Sequence, residues 1–165
     1  MRISAKADYA VRAAAELAAA QPHGRPVKGE NLAATQHIPR KFLENILADL
    51  RHAGLVGARR GAEGGYALTR PATEISVADV LRAVEGPLAA VQGTRPESLR
   101  YDGAAARLPE VWVALRANLR AVLERVTLAD LAGGELPEGI SALTSVADAW
   151  QPHCEGTPLR ESKPL

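Results

Sequence analysis

What this chain lacks narrows its function first. Its 165 residues include one cysteine, Cys154. A single thiol excludes an intramolecular disulfide framework and any multi-cysteine zinc or iron–sulfur site built within one chain. Aromatics are scarce, with one Phe, two Trp and three Tyr, too few for a platform on which single-stranded bases stack. No run of 18 apolar residues occurs, so no membrane-spanning helix is expected. The alanine-rich opening MRISAKADYAVRAAAELAAAQ is broken by Lys6, Asp8, Arg12 and Glu16, charges that a signal peptide would not carry through its apolar core. A cytoplasmic protein without membrane attachment is the expectation. HExxH, GxSxG and phosphate-loop motifs are missing, and no nucleophile–base–orienter set can be picked out, so the chain is expected not to be an enzyme. No metal site and no cofactor are expected.

What is present is a basic first half and an acidic second half. The net charge of +1 conceals 11 Lys and Arg against 6 Asp and Glu in residues 1–70, with the reverse excess after them. That polarity suits nucleic-acid binding in the first half and assembly in the second.

The central stretch is His37 to Leu68, HIPRKFLENILADLRHAGLVGARRGAEGGYAL. Leu43, Ile46, Leu47 and Leu50 fall at helical spacing, and Gly54 suits the left-handed residue that ends a helix. LVGARR and YALTR read as two short strands joined by Gly61-Ala62-Glu63-Gly64-Gly65. Before them, Ser4 caps a first helix running to about Ala20, with Tyr9, Ala13, Leu17 and Ala20 on one face. Asp8, Arg12 and Glu16 are spaced for i,i+4 ion pairs on the other. Pro and Gly in residues 21–26 mark a loop. A short helix, Lys28 to Gln36, buries Leu32, Ala33 and Ala34. His37-Ile38 makes the turn, and Pro39 opens the third helix at its first position. Two short helices with a tight connection form a helix-turn-helix, and the hairpin is its wing.

After the wing, Ser76 caps a fourth helix with Asp79 at its third position, a capping box. Val77, Val80, Leu81 and Val84 form its stripe, and Gly86-Pro87 ends it. From Leu88 to Leu108 periodicity fails, and a loop of this length is functional or unstructured. Pro109 starts a fifth helix with the stripe Val111, Trp112, Leu115, Leu119, Val122, Leu123 and Val126. So much apolar surface predicts packing on a partner copy. Thr127 caps a closing turn, Leu128 to Ala132. Gly133-Gly134 ends the ordered part, with Ile140 to Trp150 as one further candidate helix. The fold class is therefore mainly α with a small β-hairpin. Residues 1–86 are the winged helix-turn-helix domain, 87–108 a loop, 109–132 the dimerisation helix and closing turn, and 133–165 a partly disordered tail.

Four pieces in this order resemble the Rrf2 family of bacterial transcriptional regulators. They are the opening MRISAKADYAV, the wing AGLVGARRGAEGGYALTRP with Arg60, Gly61, Gly64, Gly65 and Tyr66 in the family pattern, the fourth helix ISVADVLRAVEGP, and the closing VTLADL. The resemblance covers roughly Met1 to Ala132. It implies a homodimeric winged helix-turn-helix with a long crossing dimerisation helix. Many members hold an iron–sulfur cluster through three cysteines in the loop before that helix. Here VQGTRPESLRYDGAAARLPE has none, and Val91 stands where the first is expected, so this chain resembles the cluster-free branch. Asp8 occupies the place of an acidic cluster ligand in one branch, and without cysteines it reads as a partner of Arg12.

The expected partner is double-stranded DNA, bound as a homodimer at a palindrome-like operator. Arg40 and Lys41 would reach phosphate or guanine, Glu44 a cytosine amino group and Asn45 an adenine. Lys28 joins them at the start of the second helix. Arg59 and Arg60, adjacent on a strand, would point to opposite faces, and the family resemblance implies that Arg60, beside Gly61, is the minor-groove arginine. A signal other than a three-cysteine cluster would come from a small molecule in a pocket lined by Trp112, from a protein effector, or from Cys154 beside His153, a pair that reads as incidental. His23, His37 and His52 read as surface. The rival reading is a winged-helix protein-interaction module without specific DNA binding.

Overall fold

The computed structural model describes residues 2–61, 63–147 and 149–151. Cys154 and His153 lie outside the described residues. Helix α1, Ala5–Ala20, starts where the Ser4 hydroxyl accepts from the Ala7 amide. It runs through the middle of the core, packing on the second, third, fourth and sixth helices that follow. Ala10, Ala13, Ala14 and Leu17 are buried. Small side chains let several neighbours approach one helix at once, and the core fills with leucines from those neighbours, among them Leu32, Leu43, Leu47, Leu50 and Leu128. Asp8 pairs with Arg12 at 3.0 Å as its spacing predicts. Glu16 does not complete the ladder: it accepts from Gln36 Nε2 at 2.5 Å, and Arg12 Nε also donates to Gln36 Oε1, at 3.1 Å. Gln36 competes successfully for both partners.

Helix α2, Gly29–Gln36, ends at His37 with φ of 51°, and α3, Arg40–His52, follows. Ile38 donates to the Ala33 carbonyl at 2.9 Å and is buried, which fixes the turn. Two expectations need correction. Ala34 is exposed, because two steps of about 100° carry it to the face opposite Leu32. Pro39 is the N-cap of α3 rather than its first residue; its ψ of 127° is extended, and its carbonyl accepts from Phe42 and Leu43. The stripe of Leu43, Ile46, Leu47 and Leu50 is buried, and Gly54, at φ of 73°, ends the helix.

Strands β1, Val56–Arg59, and β2, Gly65–Leu68, form an antiparallel hairpin with Val56 opposite Leu68 and Arg59 opposite Gly65. An isolated hairpin is marginal in water, and this one is tied down at its base. Val27 and Tyr66 exchange two backbone hydrogen bonds of 2.8 Å each, which join β2 to the residue just before α2.

Helix α4, Val77–Glu85, carries the expected capping box of Ser76 and Asp79, and Gly86 ends it at φ of 83°. Ala78, Val80 and Val84 are buried, with Val77 and Leu81 half-buried. Residues 87–107 form an irregular crossing with two single turns, Pro96–Ser98 and Gly103–Ala105. Helix α5, Leu108–Leu123, then packs on the first of these turns and on α4. None of its residues is fully buried. Val126 belongs elsewhere than the predicted stripe. It lies beyond α5, is buried, and accepts from the Val77 amide at 2.9 Å, while Leu128 donates to Ile75 at 2.9 Å. Helix α6, Leu128–Gly133, has its own capping box of Thr127 and Asp130. Its start therefore lies beside the start of α4, through the Ser76–Thr127 bridge. Gly134 only ends α6. The chain goes on to α7, Glu138–Thr144, where Ile140 is buried. This seventh helix is earlier and shorter than the span Ile140 to Trp150, because Pro137 caps its start and Ser145 closes it on Ser141 and Ala142. Among the described residues no helix is long and apolar enough to cross a membrane.

Candidate nucleic-acid interface

Burial of the leucine stripe turns the opposite face of α3 to solvent. Arg40, Lys41, Glu44 and Asn45 are all exposed. Arg40 and Glu44 stand 3.8 Å apart with most of each side chain in water, and an exposed pair of this kind is weak enough to exchange for another partner. Lys41 and Asn45 have no side-chain partner among the described residues. Lys28 precedes α2 and lines a groove of about 200 Å³ together with Arg40, Glu44 and Tyr66. The Val27–Tyr66 bridge thus brings the starts of α2 and α3 and one strand of the wing to a single concave surface, with a cation on either side.

The two wing arginines depart from the expected alternation. Arg59 ends β1, and its cross-strand partner is Gly65. It shares the outer face of the hairpin with Gly57 and Ala67, lining a shallow groove there. Arg60 lies beyond the strand, so strand alternation does not govern where it points. It enters the tight loop closed by the Gly64 amide on the Gly61 carbonyl at 2.9 Å, with Gly61 at φ of 107°. Both arginines are exposed. His23, His37 and His52 are exposed as expected. Trp112 is half-buried on α5, and its indole nitrogen is buried without a hydrogen-bond partner among the described residues. The groove beside α5 is lined by arginines instead of Trp112.

Two features of this surface come from contacts between distant parts of the chain. Phe42 is 44% exposed on α3 and meets Tyr9 edge-on, at 5.9 Å between ring centres. Lys6, from α1, reaches Asp49 of α3 at 2.7 Å and the Val84 carbonyl at 2.9 Å, bracing α3 from behind. Neither is signalled by local spacing, since each joins residues far apart in the chain.

Residues 3–134 match the Rrf2 family of iron-dependent transcriptional regulators. The chain belongs to the Rrf2 family. Over 143 residues it is 55% identical to an HTH-type transcriptional regulator of Mycobacterium tuberculosis, covering 87% of this chain and 88% of that protein. It is 37% identical over 133 residues to the regulator CymR of Bacillus subtilis, covering 80% and 90% of the two chains. Among solved structures, CymR, the global cysteine regulator of B. subtilis, superposes with a TM-score of 0.68 at 34% identity, covering 81% of this chain and 98% of that one. IscR of T. potens gives 0.66 at 34% identity, covering 81% and 88%. These Rrf2 relatives are transcriptional regulators with the same winged helical fold, and this chain is a regulator of that kind rather than an enzyme.

The family's association with iron raises a question of fit. Residues 86–107 of this Rrf2 chain contain neither Cys nor His. In that segment Pro96 is buried, and Glu97 is held by Arg116 at 2.6 Å. Among the described residues, no three Cys, His, Asp or Glu side chains stand together as metal ligands. Asp8 is engaged by Arg12. The residues present between α4 and α5 do not fit a thiolate-held cluster.

Proposed function

We propose that this Rrf2 protein is a homodimeric, sequence-specific DNA-binding regulator whose two copies of α3 and the wing read a palindrome-like operator. The observation that carries this reading is the exposed row Arg40, Lys41, Glu44 and Asn45 on α3, beside Lys28 and the wing arginines. Helix-turn-helix proteins place such a row in the major groove. Arg40, Lys41 and Lys28 supply phosphate or guanine contacts, and Glu44 and Asn45 read base edges, each good pair being worth about 1–3 kcal/mol of discrimination. Arg59 and Arg60, with Gly61, place the wing on the backbone and in the minor groove. Support for the dimer comes from α5, where Val111 is 55% and Val113 37% exposed. The signal it senses is a small ligand or a protein effector rather than a three-cysteine cluster.

Binding to genomic fragments across a salt series tests the reading. Specific fragments should stand out above background, and their affinity should fall steeply as salt rises. A protein-interaction module would show neither. Arg60→Ala should weaken binding on all fragments and shrink the salt slope by about one unit; unchanged affinity would remove Arg60 from the interface. Sedimentation equilibrium should return twice the chain mass at micromolar concentration, and a monomer there would overturn the dimer.

A further inference from the structure

A second cationic surface lies away from α3. Between α4, the crossing segment and α5 is an open groove of about 300 Å³ lined by Arg82, Arg95, Arg116 and Arg120, with Glu97 and the buried Pro96 at its side. Ordinary ion pairing does not account for all four guanidinium groups. Arg116 is met by Glu97 at 2.6 Å. Arg82 and Arg120 share one oxygen of Glu124, Arg120 at 2.9 Å and Arg82 in close contact. Asp79 adds a contact to Arg82 at 3.7 Å but is also shared with Arg70. Arg95 forms no ion pair at contact distance among the described residues and acts on Glu97 only through its charge. Each guanidinium carries five N–H donors in a rigid fork, and among the described residues Arg82, Arg116 and Arg120 each donate one to a carboxylate, so most of their donors remain for another acceptor.

We propose that this groove is a binding site for a small multivalent anion, a phosphate or carboxylate compound, held by Arg95, Arg116, Arg120 and Arg82. Planar guanidinium forks match the paired oxygens of both groups. The volume is at the small end of ligand sites, which suits a compact anion. Both nearby carboxylates are ionised at neutral pH and offset part of the charge, so four guanidinium groups face two carboxylates and a positive excess remains. The Arg82 guanidinium, and then that of Arg120, hold the Glu124 carboxyl below the ordinary glutamate range, and Glu97 is lowered by its own backbone amide and then by Arg116. An anion here would join three separate segments: α4, which packs in the reading domain, α5, and the crossing between them. It would fix how α5 leaves that domain. The site therefore supplies the small-ligand signal of the proposed regulator, and to that extent rests on that reading.

Titration calorimetry on the full chain at constant ionic strength tests the site, using pyrophosphate, inorganic phosphate and malonate as probes. Saturable binding near one per chain is expected for at least one probe. The preference between pyrophosphate and malonate separates phosphate from carboxylate recognition. Arg95→Ala removes an exposed group that no ion pair requires, so the fold should survive, and binding should weaken about tenfold. Arg95→Ala with Arg120→Ala should abolish it, whereas Arg25→Ala, on a distant loop, should leave it unchanged. Absence of saturable binding for all three probes, or equal binding by the wild type and the double variant, would overturn the site. Operator affinity measured with and without the bound probe separates the two readings. A shift supports sensing, while DNA binding that ignores a bound anion would overturn the sensing role. Anion binding by a protein with no DNA affinity would sink the regulator and leave the site standing.

Discussion

Gly64→Ala should leave the helices intact and remove most of the operator affinity. A Cβ on Gly64 would collide with the Arg59 carbonyl oxygen and stand 2.8 Å from the Gly61 carbonyl oxygen and 2.9 Å from the Arg60 carbonyl carbon. All three neighbours are backbone, so none can rotate away as a side chain would. Overpacking of this kind costs about 1–3 kcal/mol, and the hairpin has little stability of its own to absorb it. The loop must open, carrying Arg60 from its place, and specific affinity should drop about tenfold to a hundredfold. Gly65→Ala should act one step further back. Its Cβ would lie 2.6 Å from the Val27 carbonyl oxygen, inside the bridge that docks the wing beside α2. Far-UV circular dichroism should stay near wild type in both variants while fluorescence anisotropy on an operator duplex reports the loss. Unchanged affinity in both would show that the wing contributes nothing to DNA binding.

The second large effect concerns stability. Leu128→Ala is expected to destabilise the fold by about 2–5 kcal/mol, although residue 128 lies beyond the long helix. Leu128 is fully buried, and α6 packs along α1 in the same core as Leu17 and Leu50. Truncation leaves a cavity in a cluster whose central helix is mostly alanine, where few long side chains can collapse into the space. The melting temperature should fall by roughly 2–4 °C for each kcal/mol, read by differential scanning calorimetry at a fixed chain concentration. Val111→Ala is the informative contrast. That side chain is mostly in water within one chain, so it should leave the fold of the monomer unaffected and weaken only the dimer. A Leu128→Ala protein that melts with the wild type would place α6 outside the core.

Local chemistry was legible in the chain. Ser4, the Ser76–Asp79 box, the Thr127 cap and Gly54 all act within a few residues of themselves, and the leucine stripe of α3 follows from helical geometry alone. What could not be read are contacts made across the fold. Val27 pairs with Tyr66 through backbone groups, which every residue possesses, so no side-chain pattern marks the event that docks the wing. Val126 looked like the last rung of the α5 stripe, yet the helix stops at Leu123 and a backbone bond to Val77 draws Val126 inward. Arg60 seemed to alternate with Arg59 until the strand proved one residue too short. Arg82, Arg95, Arg116 and Arg120 are scattered over nearly forty positions, and only the return of α5 along α4 gathers them.

The tether between Val77 and Val126 has a mechanical consequence. Helix α5 is secured to the reading domain at its C-terminal root, and its 16 residues reach about 24 Å away from that point. Along that length it also rests on α4 and on the Pro96–Ser98 turn, so a tilt would pivot beside the capping boxes of α4 and α6 and work against those contacts. A tilt of about 5° at the root swings the far end by about 2 Å, comparable to the helix shifts that switch subunit interfaces. The same geometry would run in reverse: a shift imposed on the outer end of α5 would reach the base of α4 as a small rotation through the Val77–Val126 bond.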